Sequence, residues 1–198
     1  MASGLDIEFV RQNYQKMSNE DLLRTATTDA HGLTPEALEV VKEEILKRNL
    51  DKNIIKGLEA QNKTYTVEEI DAYSELIQKL PCPKCGNTFQ KLNGTLTSEV
   101  MSFIVFSQYK RELIVACPNC LDKATQGALT KTLFLGWWGI PWGIIRTFQA
   151  IGHYFKSNKQ HHIQEPNNFL RSFILSKVGE IETHKTDNIQ LQQIIAGK

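Results

Sequence analysis

The chain is short of several things, and each shortage removes a class of protein. Its 198 residues hold only four cysteines, too few to staple a chain of this length with disulfides. Neither charge dominates: 23 Lys and Arg stand against 22 Asp and Glu, so no strong overall field draws the chain to nucleic acid or anionic lipid. A long hydrophobic run is missing too. The most apolar stretch, Leu133 to Ile145, falls short of the ~20 residues that cross a bilayer, and Pro141 and glycines interrupt it. The opening residues carry no apolar core behind a basic head, so a secretory signal is not expected and a cytoplasmic location is. There is no HExxH, no pair of catalytic carboxylates, no Ser/His/Asp order and no phosphate-cradling glycine loop. The expectation is therefore a protein that is not an enzyme. What is present, 41% hydrophobic and 23% charged residues, is the composition of a globular chain without repeats.

The near-neutral total conceals an asymmetry. Residues 1–80 carry 10 basic and 15 acidic side chains, whereas residues 81–198 carry 13 basic and 7 acidic. The sign changes at Leu80-Pro81-Cys82, where the helical pattern also stops, and the main boundary is placed there. An acidic helical segment accounts for this, as do two halves that attract each other or a basic half that meets an anionic partner.

Before that boundary the sequence reads as short helices. Ser18 ahead of Asn19-Glu20-Asp21 is a helix cap, and Thr34-Pro35-Glu36 supplies a cap, a first-position proline and an acidic first turn. Leu38, Val41 and Ile45 then recur at helical spacing, with Lys47 and Arg48 in the last turn, where cations suit the helix dipole. Ile54, Ile55 and Leu58 suggest a marginal turn or two. Thr66-Val67-Glu68-Glu69 opens another helix, with Ile70, Tyr73, Ile77 and Leu80 as its buried stripe.

Residues 86–116 change character. Thr88 to Leu92 alternates, Asn93-Gly94 is a strong turn dipeptide, and Val100 to Phe106 is rich in Val, Ile and Phe. Two or three antiparallel strands are expected, with turns at Asn93-Gly94 and Tyr109-Lys110-Arg111. After Cys120 the pattern predicts a helix from Ala124 to Leu135 and a second from Trp142 to Phe155. Further helices are expected near Pro166, with Phe169, Phe173, Ile174 and Val178 on one side, and from Asp187 to Ala196-Gly197.

The chemistry lies in Cys82-Pro83-Lys84-Cys85-Gly86 and Cys117-Pro118-Asn119-Cys120. Two residues between cysteines let the chain turn tightly enough for both sulfurs to meet one ion, and turn amides can donate to the thiolates. Gly86 permits a left-handed exit. Two such pairs supply four thiolates, a closed tetrahedral zinc site with no position left for water; such a site is structural. Iron held by four thiolates is the nearest competitor, followed by free buried cysteines and by redox dithiols. The 31 residues between the pairs exceed the usual interval of about 15–20, and the strand signals account for the excess as an extended hairpin. A small sheet cannot bury enough surface by itself, so the ion is expected to order it.

Cys82 to Cys120, about a fifth of the chain, resembles a zinc ribbon, the family in which two knuckles at the ends of β-hairpins clamp one zinc ion. The stretch that follows, Leu135-Gly136-Trp137-Trp138-Gly139-Ile140-Pro141-Trp142-Gly143 with Arg146-Thr147, resembles a run in uncharacterised bacterial zinc-ribbon proteins. This resemblance implies a fold that continues through the helices and supplies no activity.

Trp137, Trp138 and Trp142 fall within six positions. Core packing, immersion in a membrane surface with Lys131, Arg146, Lys156 and Lys159 flanking, and a protein-binding surface are the three readings. His153, His161 and His162 lie near one another beside basic residues and suggest a second metal or phosphate contact, but no carboxylate or cysteine accompanies them at ligand spacing, and a solvated polar linker is the favoured reading. Together these features predict an α+β protein: a helical module over 1–80, a zinc ribbon over 81–123, and a C-terminal helical region over 124–198 with a Trp-rich hairpin. The functional expectation is a non-enzymatic interaction protein, an adaptor or inhibitor of a protein partner, with Cys82, Cys85, Cys117 and Cys120 holding one structural zinc. Peripheral membrane attachment through the tryptophans is the second reading. Nucleic-acid binding through Lys84, Lys91, Lys110, Arg111 and Lys123 comes after it.

Overall fold

Helix boundaries follow the predicted caps. Ser18 Oγ accepts from Asp21 N and starts α2 (Asn19–Thr27); Thr34 Oγ1 accepts from Ala37 N and, with Pro35 at the first position, starts α3 (Pro35–Lys47). A computed structural model describes residues 7–103, 106–135 and 159–197. Within them α1 (Ile7–Lys16) precedes these two helices, and α4 (Asn53–Gln61) and α5 (Val67–Gln78) follow. Next come β1 (Asn93–Phe103), β2 (Phe106–Ala116) and α6 (Pro118–Leu135), and then α7 (Asn168–Ser176), α8 (Val178–Thr183) and α9 (Asn188–Ala196). The described residues are thus mostly helical, with one small antiparallel sheet of two strands. Its described residues divide into two units, each assembled from separated stretches: Met1–Thr66 with Ser176–Ile194, and Val67–Leu175 with Ile195–Lys198.

In the first unit Tyr14, Leu22, Ala26, Ala30, Val40, Val41, Ile45, Ile54 and Leu58 form one apolar cluster. The marginal turn expected around Ile54 is a nine-residue helix, because Ile54 and Leu58 are buried in that cluster and its last residue, Gln61, binds the chain before α3. Gln61 Oε1 accepts from Ala30 N at 2.9 Å and its Nε2 donates to Ala26 O at 2.6 Å. Arg48, expected to serve the dipole of its own helix, instead closes the end of α1. Its guanidinium donates to Tyr14 O, Gln15 O and Met17 O at 2.8 to 3.1 Å, to Asn19 Oδ1, and to Glu44 Oε1 at 2.7 Å.

In the second unit the hairpin is longer and simpler than its sequence suggests. β1 and β2 pair from Asn93↔Ala116 to Phe103↔Phe106, so neither predicted turn exists. Asn93-Gly94 lies inside β1, and Tyr109-Lys110-Arg111 lies inside β2 opposite Val100, Glu99 and Ser98. The alternating Thr88–Leu92 segment is not a strand either: Asn87 Oδ1 accepts from Phe89 N and Gln90 N and bends the chain there.

The turn dipeptide serves docking instead. Asn93 Nδ2 donates to Ile163 O and Glu165 O, and its Oδ1 accepts from Asn167 N. Gly94 passes so close to α7 that a Cβ on it would lie 2.5 Å from Leu170 N. Asn167 completes the lock, accepting from Gly94 N and Leu170 N and donating to Gly94 O and Gln160 O. Arg171 on α7 grips Asp71 on α5 through two bonds of 2.7 and 2.9 Å. The single helix expected after Pro166 is two, α7 and α8, separated at Lys177. Asp187 Oδ1 caps α9 as its sequence predicts.

Candidate metal centre

The first cysteine pair sits in a tight turn after α5. Gly86 N donates to Cys82 O at 2.8 Å and Cys82 N to Asn87 O at 2.9 Å, closing the turn from both ends. Gly86 leaves it at φ +73°, the left-handed exit that only glycine makes without strain. The second pair is differently housed. β2 ends at Ala116, Cys117 follows directly, and Pro118 is the first residue of α6; Cys120 N and Leu121 N both donate to Cys117 O. The predicted start of this helix at Ala124 therefore moves forward to include Cys120 in its first turn. Pro118 suits that first position, where a missing N–H costs nothing, and the positive end of the helix dipole faces the sulfurs.

All four sulfurs converge within 4.8 Å of one another, and Cys85 Sγ lies 3.6 Å from Cys117 Sγ. A tetrahedral zinc ion with Zn–S bonds of ~2.3 Å would place neighbouring sulfurs ~3.8 Å apart, so the spacing suits one ion bound by all four. Cys82 and Cys117 are buried, Cys120 is half-buried and Cys85 is exposed.

The electrostatics of the donor set suit a cation as well. Burial by itself would raise the Cys82 thiol, but backbone N–H groups of Cys117, Lys84 and Cys85 outweigh it and bring it down to about 7. Cys117 N points at Cys82 Sγ across 3.3 Å. Burial pushes the Cys117 thiol up, and burial together with the neighbouring Cys85 and Cys117 sulfurs pushes Cys120 well up. Four sulfurs so crowded cannot all ionise without a positive charge among them, which a bound metal cation would supply.

Beyond Cys120 on α6, Asp122 joins a polar cluster whose histidines the sequence pattern places in a solvated linker. His161 is 0% exposed. Its Nδ1 meets Asp122 Oδ1 at 2.8 Å and its Nε2 meets Thr95 Oγ1 at 3.0 Å, while His162 Nε2 meets Asp122 Oδ2 at 2.8 Å. The carboxylate missing from the histidines' neighbourhood in sequence is thus Asp122, two positions beyond Cys120 on α6. No spacing signal connects residues 39 apart. The cluster pins β1 to α6, with Thr95 fully buried. His153 lies outside the described residues.

Phe89, assigned by pattern to a strand, is 96% exposed just past the first pair, with Lys84 and Lys91 near it in sequence. Trp137, Trp138 and Trp142, and with them the predicted helix to Phe155, lie outside the described residues. Among the described residues no helix is long and apolar enough to cross a membrane, and the four cysteines are the group able to hold a metal ion. No family model, no curated protein and no solved structure matches the chain, so its chemistry is argued from these four sulfurs and the elements that gather them.

Proposed function

We propose that the chain is a non-enzymatic zinc protein that binds another protein, as an adaptor or inhibitor, through a surface kept in shape by one tetrathiolate zinc. The observation that carries this reading is the convergence of Cys82, Cys85, Cys117 and Cys120 within 4.8 Å from stretches more than thirty residues apart. Four protein sulfurs fill a tetrahedral ion, which leaves no position for water or substrate and gives the metal a structural role. The zinc-ribbon resemblance is the finer form of the proposal. The hairpin between the pairs supports it, and the seat of the second pair at a helix start is a variation on it.

The binding role is supported by Phe89. A ring almost wholly in water beside a metal-braced turn is the kind of anchor that interfaces bury, and the flanking lysines favour a partner with an acidic rim. Metal analysis of chain purified without chelator should find about one zinc per chain and little iron. Phe89→Ala should keep the zinc and the melting temperature but lose partners that the wild type retains in cross-linked pull-downs. Absence of a bound transition metal would overturn the zinc reading. A Phe89→Ala variant that captures the same partners would overturn the placement of the interface.

A further inference from the structure

We propose that Cys85 is a site of oxidation by hydroperoxides and that Cys117 resolves it to a disulfide. The proposal rests on the four-thiolate reading of the centre and adds to it a route by which the centre is opened. Of the four cysteines Cys85 alone is exposed, so an oxidant arriving from solvent meets it first. Cys117 Sγ stands 3.6 Å from the Cys85 sulfur, and Cys117 is fully buried. The partner of Cys85 in its own turn is otherwise engaged: Cys82 Sγ accepts the N–H of Cys117.

The chemistry balances with hydrogen peroxide as oxidant. The Cys85 thiolate attacks one peroxide oxygen; the S–O bond forms, the O–O bond breaks and hydroxide leaves, giving a sulfenic acid. The Cys117 thiolate then attacks the Cys85 sulfur; the S–S bond forms, the S–O bond breaks and a second hydroxide leaves. Two thiolates have lost two electrons and the peroxide has gained them. The sulfurs must close to ~2.05 Å, a movement that the exposed Cys85 side chain can supply. Cys82 and Cys120, the two thiolates left, do not make a closed site. The new bond joins residues 85 and 117, the two ends of the segment that the hairpin occupies, so β1 and β2 stay tethered after oxidation.

The test uses the full-length chain with its metal content measured beforehand. It is treated with increasing hydrogen peroxide beside a chromogenic chelator too weak to strip the reduced protein. A sulfenic-acid trapping reagent and non-reducing peptide mapping report the products. The expected result is release of about one zinc per chain, a trapped adduct on Cys85, and a major cross-linked peptide joining Cys85 to Cys117. Thiol reductant with added zinc should reverse it. A major Cys82–Cys85 or Cys117–Cys120 linkage, first trapping at another cysteine, or zinc retained with all thiols intact would each overturn the proposal and leave the metal centre standing. Chain that holds no zinc before oxidation would overturn the reading of the centre itself.

Discussion

Replacing Asn167 by alanine tests the lock at the base of the hairpin. The side chain is 4% exposed and makes four hydrogen bonds, all to backbone: Leu170 N at 2.9 Å, Gly94 N at 3.3 Å, Gly94 O at 2.7 Å and Gln160 O at 3.2 Å. Alanine leaves those two donors and two acceptors without their partner, three of the contacts being in buried surroundings. Each net bond is worth about 1 kcal/mol and each stranded buried group costs somewhat more, so the expected loss is about 4 kcal/mol. That is a large share of the ~5–15 kcal/mol of a typical domain. Asn167→Ser should recover about 1 kcal/mol of it, because a hydroxyl can still cap α7 through Leu170 N but reaches nothing else. Urea titration of the zinc-loaded chain, with the slope checked for constancy, gives the totals. Hydrogen exchange at the Gly94 and Leu170 amides localises them. A loss below about 1 kcal/mol for alanine, or equal values for alanine and serine, would refute the reasoning.

Other expectations follow from the same geometry. Gly94→Ala, whose Cβ would stand 2.5 Å from Leu170 N and 2.7 Å from Phe169 C, meets backbone that cannot yield and should cost about 1–3 kcal/mol in urea titration. Gly86→Ala, with open space around its Cβ and only φ +73° against it, should cost about 1 kcal/mol, and Gly86→Asn less. Arg48→Lys cannot reproduce the fork that reaches Tyr14 O, Gln15 O, Met17 O and Glu44; it should cost about 2–3 kcal/mol by thermal melting, against under about 0.5 for the exposed Lys47→Ala. In the metal-free chain the lowered Cys82 thiol stabilises the fold above the ordinary thiol value of 9.0, an effect lost as pH falls through about 7. The raised Cys117 and Cys120 thiols act the other way, stabilising the fold below 9.0 and losing that effect as pH rises. Zinc binding at pH 7 must therefore expel at least about two protons, and affinity should fall about 100-fold or more per pH unit lowered; calorimetry in buffers of different ionisation heat measures this, and release of under one proton would contradict it.

What could be read from the sequence was what neighbouring residues decide among themselves. Ser18, Thr34 and Asp187 cap helices because the oxygen and the amide it satisfies lie within three residues. The cysteine pairs were legible for the same reason: a two-residue spacing constrains two sulfurs to one turn. Asn93-Gly94 misled because the properties that make it a turn dipeptide also serve docking. A side-chain amide with both donor and acceptor reaches Ile163, Glu165 and Asn167, and a residue without Cβ lets α7 approach. Arg48 and His161 misled in the same direction. Each was given a local or solvent role, and each spends its polar atoms on chain at least 29 residues away, Arg48 keeping one bond to Glu44 on its own helix. The pattern identifies such residues as polar and cannot say with what they pair.

Those long-range contacts change what loss of the metal should do. From the sequence alone the ion is expected to order the hairpin, and loss of a ligand such as Cys82 or Cys117 to destabilise the C-terminal half. The structure adds two clamps on the same elements: Asn93, Gly94 and Asn167 hold β1 to the chain before α7, and Thr95, His161 and Asp122 hold β1 to α6. Asn93 pairs with Ala116, the residue before Cys117, so the first clamp acts next to the second cysteine pair. Among the described residues the turn over 82–87 is held by Gly86 N to Cys82 O, Cys82 N to Asn87 O and Cys117 N to Cys82 Sγ, bonds that lie at the metal centre itself. Chelation should thus open the first turn while β1 and the start of α6 hold, a local rather than global event. In hydrogen exchange with chelator the amides of Cys82 and Gly86 should lose protection by orders of magnitude more than those of Gly94 and Leu121. Asn167→Ala should narrow the difference, because it weakens the first clamp and leaves Thr95, His161 and Asp122 to hold β1 to α6. Equal loss of protection at all four amides in the wild type would show that the clamps do not carry the hairpin without the ion.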